Sequence, residues 1–257
     1  FERARDRVLM GQRRESMALS DGEKENIAYH EAGHAVCAVV LPHADPVHKV
    51  TILPTGMALG VTQQLPIEER HIYRQDFIED RLIVAMGGRI AESLVFGVVS
   101  TGANNDLVTS TELARKMVRE WGMSSRVGPM AWSSQGAVFL GEDLMHSRDY
   151  SDETARVIDE EVERILREQE ARCHEVLTEN RYGLDLVARA LLEHETIDGK
   201  EVHRLVEIGQ SGTPIESVTF NGADETHFNE SASPRETAGA GTGPAPTSSQ
   251  SVAAPPP

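Results

Sequence analysis

The sequence predicts a mainly α-helical domain with one small β-hairpin, followed by a tail that builds no core. Three observations carry that expectation. Apolar residues recur at three- and four-residue spacings through most of positions 20–208. A single pair of β-rich runs, "VHKVTIL" and "MALGVTQQL", flanks Pro54-Thr55-Gly56. After about residue 209 the composition turns to Gly, Ser, Thr, Ala and Pro.

Each element has its own local signal. Ser20 with Glu23 forms a capping box ahead of a helix that runs to Leu41, where Pro42 stops it. The hairpin follows, with one strand expected at an exposed edge. Helical spacing returns from about Ile67 through Phe77, Leu82, Ile83 and Met86 to Phe96, past Gly87-Gly88, a pair that marks a kink or a close approach of another backbone. The loop "GVVSTGANND" leads into a helix from about Leu107 to Trp121, with Gly122 as its stop. The longest helix starts near Ser151 and aligns Ile158, Val162, Ile165, Leu166, Cys173, Val176 and Leu177 on one stripe. A last short helix begins near Asp198, and order is expected to end at about 208. The chain therefore divides into an N-terminal segment 1–19, a domain 20–208 and a disordered tail 209–257.

Composition narrows the function. A formal charge of −16 argues against a phosphate-backbone partner, so no nucleic acid is expected. The acidic stretch from Glu142 to Glu175 reads as a solvated helix face. The longest apolar run, "AVCAVVL" at 35–41, is far short of the ~20 residues a membrane-spanning helix needs, so the chain itself is expected to be soluble. Two cysteines, Cys37 and Cys173, offer neither a disulfide framework nor a four-cysteine metal site. The chain opens on Phe1 without a secretory signal, and an excised piece of a longer protein is expected.

Chemistry concentrates in "YHEAGHAV", residues 29–36. Residues four apart sit one above the other on a helix, so His30 and His34 can grip a single ion. Glu31 lies one position round, beside such an ion's open coordination position, where a carboxylate could deprotonate a bound water. The competing reading is two core histidines satisfied by backbone carbonyls. The small residues Ala32, Gly33 and Ala35 suggest that another element packs closely here. His43 and His48 lie beyond Pro42 and read as loop and strand residues. A third ligand must then be a carboxylate, and spacing leaves two: Asp106, which could equally be an ordinary helix N-cap, and Glu92 in "GGRIAES".

Taken together, "AYHEAGHA", "DPVHKVTILPTGMALGVT", "GGRIAE", "STGANNDL" and "ARKMVREWGMS" closely resemble the peptidase domain of the FtsH family of membrane-anchored, ATP-dependent zinc metalloproteases, from residue 1 to about 208. The resemblance implies a helical, zincin-like peptidase domain with its small sheet beside the metal-binding helix. It implies one Zn²⁺ per chain held by His30, His34 and Asp106, with Glu31 as the catalytic base and Glu92 behind a ligand histidine. It further implies unfolded or membrane protein substrates, taken up as a strand added beside "MALGVT", and a homo-hexameric ring. The full-length protein is expected at the cytoplasmic side of the cell membrane, anchored only through N-terminal helices absent from this chain. Segment 1–19 would link from an ATPase module. This sequence has no GxxxxGK[ST] loop, since Gly199-Lys200 is followed by Glu201, so ATP is expected to act only through that absent module.

The alternative is a catalytically inactive, ring-forming assembly module. It is disfavoured because all four catalytic positions of the family are present. A hydrolase of small amides is disfavoured too, because nothing in the sequence suggests a closed pocket.

Overall fold

The computed structural model describes residues 19–55, 58–132 and 150–223. Helix α1 (Asp21–Val40) starts at the expected capping box: the Glu23 N–H donates to Ser20 Oγ, and the Ser20 N–H donates to the Glu23 carboxylate. It ends as Leu41 turns extended ahead of Pro42. Ile27, Ala28, Ala32, Ala35, Val36 and Cys37 are buried almost all round the helix, which makes α1 the central element.

Strands β1 (Val47–Thr51) and β2 (Val61–Gln64) pair antiparallel as the expected hairpin, with Val50 opposite Thr62. A third strand, β3 (Thr196–Asp198), pairs with β1 on its other side, giving the order β2-β1-β3. β2 is therefore an edge, lying against α1.

Helix α2 (Gln75–Phe96) begins later than the apolar spacing suggested. Ile67 and Ile72 are 83% and 85% exposed, so they belong to the connecting segment and not to a buried helical stripe. Gly33 and Gly87 bring the backbones of α1 and α2 together: a Cβ on Gly33 would lie 2.3 Å from the Gly87 carbonyl oxygen. Gly97, at φ 70°, closes α2 in the left-handed region.

A single 3₁₀ turn (Thr101–Ala103) leads into α3 (Asn104–Arg119), which starts earlier than expected. Helix α4 (Asp152–Glu179) starts where expected, with Ser151 as its N-cap, and buries Ile158, Val162, Ile165, Cys173 and Leu177. Its outer face carries ion pairs between successive turns, such as Arg156–Glu160 and Arg164–Glu168, which accounts for the described part of the acidic stretch. The Cys37 and Cys173 thiols are buried and unbridged, with sulfurs 3.8 Å apart.

Helix α5 (Arg181–His194) was not anticipated; Asn180 alone separates it from α4. Helix α6 (Gly199–Ser211) begins at the Asp198 cap. Packing continues beyond the boundary expected at 208. Ile215, Val218 and Phe220 lie against the core, and the Ala223 N–H donates to the Thr196 carbonyl. The rest of the expected tail, 224–257, lies outside the described residues, as do 133–149 and all of the segment 1–19 except Leu19, which packs on the core. One apolar core gathers α1, the sheet, α5 and α6, and a second lies between α2, α3 and α4. Among the described residues no helix is long and apolar enough to cross a membrane.

Candidate metal centre

The central position of α1 puts His30, Glu31 and His34 at the floor of a cleft of about 1210 Å³, walled by β2, α2 and the start of α3. His30 Nε2 and His34 Nε2 face each other at 3.0 Å. Each ring's other nitrogen meets an acceptor: His30 Nδ1 lies 2.6 Å from Glu92 Oε1, and His34 Nδ1 lies 2.7 Å from the Val84 carbonyl. With both rings neutral, acceptors at both Nδ1 atoms would place the protons there and turn the Nε2 lone pairs toward one another. That contact is repulsive unless a positive charge lies between them.

Helix α3 brings in the third group. Asp106 Oδ2 is 3.3 Å from His30 Nε2 and 3.5 Å from His34 Nε2. Asp106 lies inside the first turn, and its side chain caps nothing; the N-cap position is Ala103. The triangle has edges of 3.0, 3.3 and 3.5 Å. Ligands about 2.0–2.1 Å from a tetrahedral zinc would lie roughly 3.3 Å apart, so the donor set fits that ion in both chemistry and spacing. Among the described residues it is the one group of three or more His, Cys, Asp or Glu side chains gathered this closely.

Glu92 is fully buried on the far side of His30. Its carboxylate accepts from the Ser100 N–H at 2.5 Å and the Ser100 hydroxyl at 3.0 Å as well as from His30. It therefore holds the outer nitrogen and does not face the Nε2 pair. Gly88 makes room for the ring, since a Cβ there would lie 2.5 Å from His30 Cε1. His43 is bound instead to Asp80, with both its main-chain N–H and ring Nδ1 at 3.1 Å, and His48 lies in β1.

Glu31 is buried, and its Oε2 accepts from the Thr62 hydroxyl at 2.7 Å. Burial pushes its carboxyl above the ordinary value, and the opposing pull of His34, His30 and Thr62 does not cancel this. Asp106 behaves oppositely. Burial raises it, but His30 and His34 hold it well below the usual carboxylate range. Burial pushes the His30 imidazolium down, yet Asp106, Glu92 and Glu31 raise it to about 10. The arrangement thus favours a cation between the imidazoles, beside a carboxylate of enhanced basicity.

Sequence reasoning passed over Ser100, Thr62 and the Val84 carbonyl, and it expected a kink or another backbone at Gly87-Gly88, whereas Gly88 meets the His30 ring. Ser100 and Thr62 stand inside motifs already singled out, but nothing local says which carboxylate either hydroxyl meets. The Val84 carbonyl has no sequence signal at all.

The family described as Peptidase family M41 matches residues 17–205. An "ATP-dependent zinc metalloprotease FtsH" of Acidimicrobium ferrooxidans is 67% identical over 215 residues, which is 84% of this chain and 32% of that protein. An "ATP-dependent zinc metalloprotease FtsH 2" of Salinibacter ruber is 48% identical over 237 residues, 92% of this chain and 35% of that protein. An "ATP-dependent zinc metalloprotease FtsH" of Nitrosococcus oceani is 50% identical over 206 residues, 80% of this chain and 32% of that protein. The chain spans about a third of the length of these relatives.

Proposed function

This chain belongs to peptidase family M41, and from that premise we propose that it is a zinc endopeptidase, the proteolytic part of a membrane-anchored, ATP-dependent protease of the FtsH type that degrades unfolded or misfolded proteins. The observation that carries the reading is the facing Nε2 pair of His30 and His34, closed by Asp106 Oδ2, with Glu31 one position round the helix.

His30, His34 and Asp106, which line the cleft, would hold one Zn²⁺. When bound, the ion supplies Lewis acidity to a peptide carbonyl and lowers the pKa of water to about 7. Glu31 takes the proton of the attacking water and hands it to the leaving amine. Glu92 fixes the His30 tautomer, and the Val84 carbonyl fixes that of His34. Edge strand β2 offers unpaired backbone to an extended peptide, a mode that reads extension more than side chains and so suits unfolded substrates. The peptidase unit runs from residue 20 to about 223, with 1–19 as its link to an ATPase module through which ATP acts. Assembly as a homo-hexameric ring at the cytoplasmic side of a membrane belongs to the same reading.

The test is metal analysis of the purified chain together with digestion of casein, with and without a chelator. One zinc per chain and chelator-sensitive cleavage are expected, and Glu31→Gln should keep the zinc and lose the cleavage. Full cleavage by Glu31→Gln, or by the chelated protein, would overturn the reading.

A further inference from the structure

We propose that Thr62 is a positioning residue for the base Glu31, and that Gly60 keeps open the space its carboxylate needs. The proposal rests on the reading of Glu31 as the base. The Thr62 hydroxyl lies 2.7 Å from Glu31 Oε2 and 3.1 Å from the Glu31 carbonyl oxygen, so one hydroxyl spans the main chain and the side chain of the same residue. That contact fixes the direction of a glutamate whose three side-chain torsions would otherwise be free, and it leaves Oε1 to take a proton. A base works only when held close to the proton it abstracts.

Gly60 closes the other side. A Cβ there would lie 2.6 Å from Glu31 Oε1, 2.7 Å from Glu31 Cγ and 2.9 Å from Ile27 Cγ2. The carboxylate can swing away, so alanine at position 60 displaces the base and leaves the fold intact.

The location of Thr62 gives the contact its purpose. Its backbone is fixed by pairing with Val50, and β2 is the edge along which an extended substrate would add. One residue thereby references the base to the strand that would hold the scissile bond. A base anchored only within α1 would lack that registration.

Thr62→Val keeps the branched shape and removes the donor, whereas Thr62→Ser keeps the donor and loses a methyl. A role in strand packing predicts that Val outperforms Ser. Positioning predicts the reverse. In Thr62→Val, kcat on an unstructured fluorogenic peptide should fall at least about 10-fold with KM within about twofold, while Thr62→Ser stays within about threefold of the parent. Zinc should remain one per chain in both. Gly60→Ala should also lose kcat and keep zinc.

A second readout needs no turnover. In the zinc-free chain, the Glu31 carboxyl ¹³C resonance, identified by its loss in Glu31→Gln, should move in Thr62→Val and stay in Thr62→Ser. An unmoved resonance in Thr62→Val, unchanged kcat, or Val outperforming Ser would overturn the proposal. If Glu31→Gln is inactive in the same assay, that failure belongs to Thr62 alone. An active Glu31→Gln overturns the base itself, and Thr62 with it.

Discussion

Glu92 Oε1 holds His30 Nδ1 at 2.6 Å while Ser100 holds Glu92 through both its N–H and its hydroxyl. The loop before α3 thereby orients a histidine on α1 through a carboxylate on α2. Removing the middle member frees the ring and weakens its basicity. Glu92→Ala should therefore cost about 10–100-fold in zinc affinity, measured by competition with a chromophoric chelator. Glu92→Gln, which keeps an acceptor and loses the charge, should cost less.

Asp106 meets the imidazoles directly, so its removal should cost more than that of Glu92. Asp106→Ala takes one of three donors from the triangle and leaves two Nε2 lone pairs opposed at 3.0 Å. Zinc retained per chain after gel filtration should fall well below one. Undiminished stoichiometry would pass the third ligand to another group.

Gly33 and Gly87 set the distance between the helices that carry the site, and two alanine substitutions separate that role from helix propensity. In Gly33→Ala the new methyl meets the Gly87 carbonyl oxygen at 2.3 Å and Ala91 Cβ at 2.7 Å, contacts the backbone must move to relieve. A loss of about 1–3 kcal/mol or more in urea unfolding is expected. Gly22 lies on the same helix with nothing within 4 Å of a Cβ. Gly22→Ala should gain up to about 1 kcal/mol.

What the sequence disclosed was mostly what a single turn or cap can encode. Ser20 and Glu23 announce the start of α1 because both partners lie within one turn, and Pro42 announces its end. His30, Glu31 and His34 were legible for the same reason. Asp106 was not, because spacing left it level with Glu92. What separates them is tertiary: Glu92 is buried and engaged by Ser100, whereas Asp106 faces both Nε2 atoms.

The missed elements have equally local causes. β3 is three residues long, too short for an alternating pattern, and it exists because Thr196 and Ile197 meet Thr51 and Val50 from a distant part of the chain. Helix α5 starts immediately after Asn180, so its pattern reads as an extension of α4. Ile67 and Ile72 mimicked a helical stripe, yet the structure exposes them. The early boundary at 208 came from composition, which does not register that Asn221 is bound to the Glu201 carboxylate.

That last contact carries a pH dependence. Glu201 is buried, accepts two hydrogen bonds from Arg204 at 2.8 and 2.7 Å, and accepts the Asn221 main-chain and side-chain N–H groups at 3.0 and 3.1 Å. Burial alone would raise its carboxyl, but Arg204 and Asn221 more than offset this and hold it below its ordinary value of 4.5. A depressed acid binds its proton more readily in the unfolded chain than in the folded one. Its stabilising contribution is therefore complete above about pH 4.5 and fades as pH falls through the lowered folded value. Acid also strips zinc by protonating imidazoles, so the comparison belongs in chelator-treated protein. There, the urea midpoint of the parent should fall more steeply between pH 6 and pH 3 than that of Glu201→Gln, which starts lower and has no proton to gain at this position. Equal slopes would show that Glu201 is not what ties the segment after α6 to the domain.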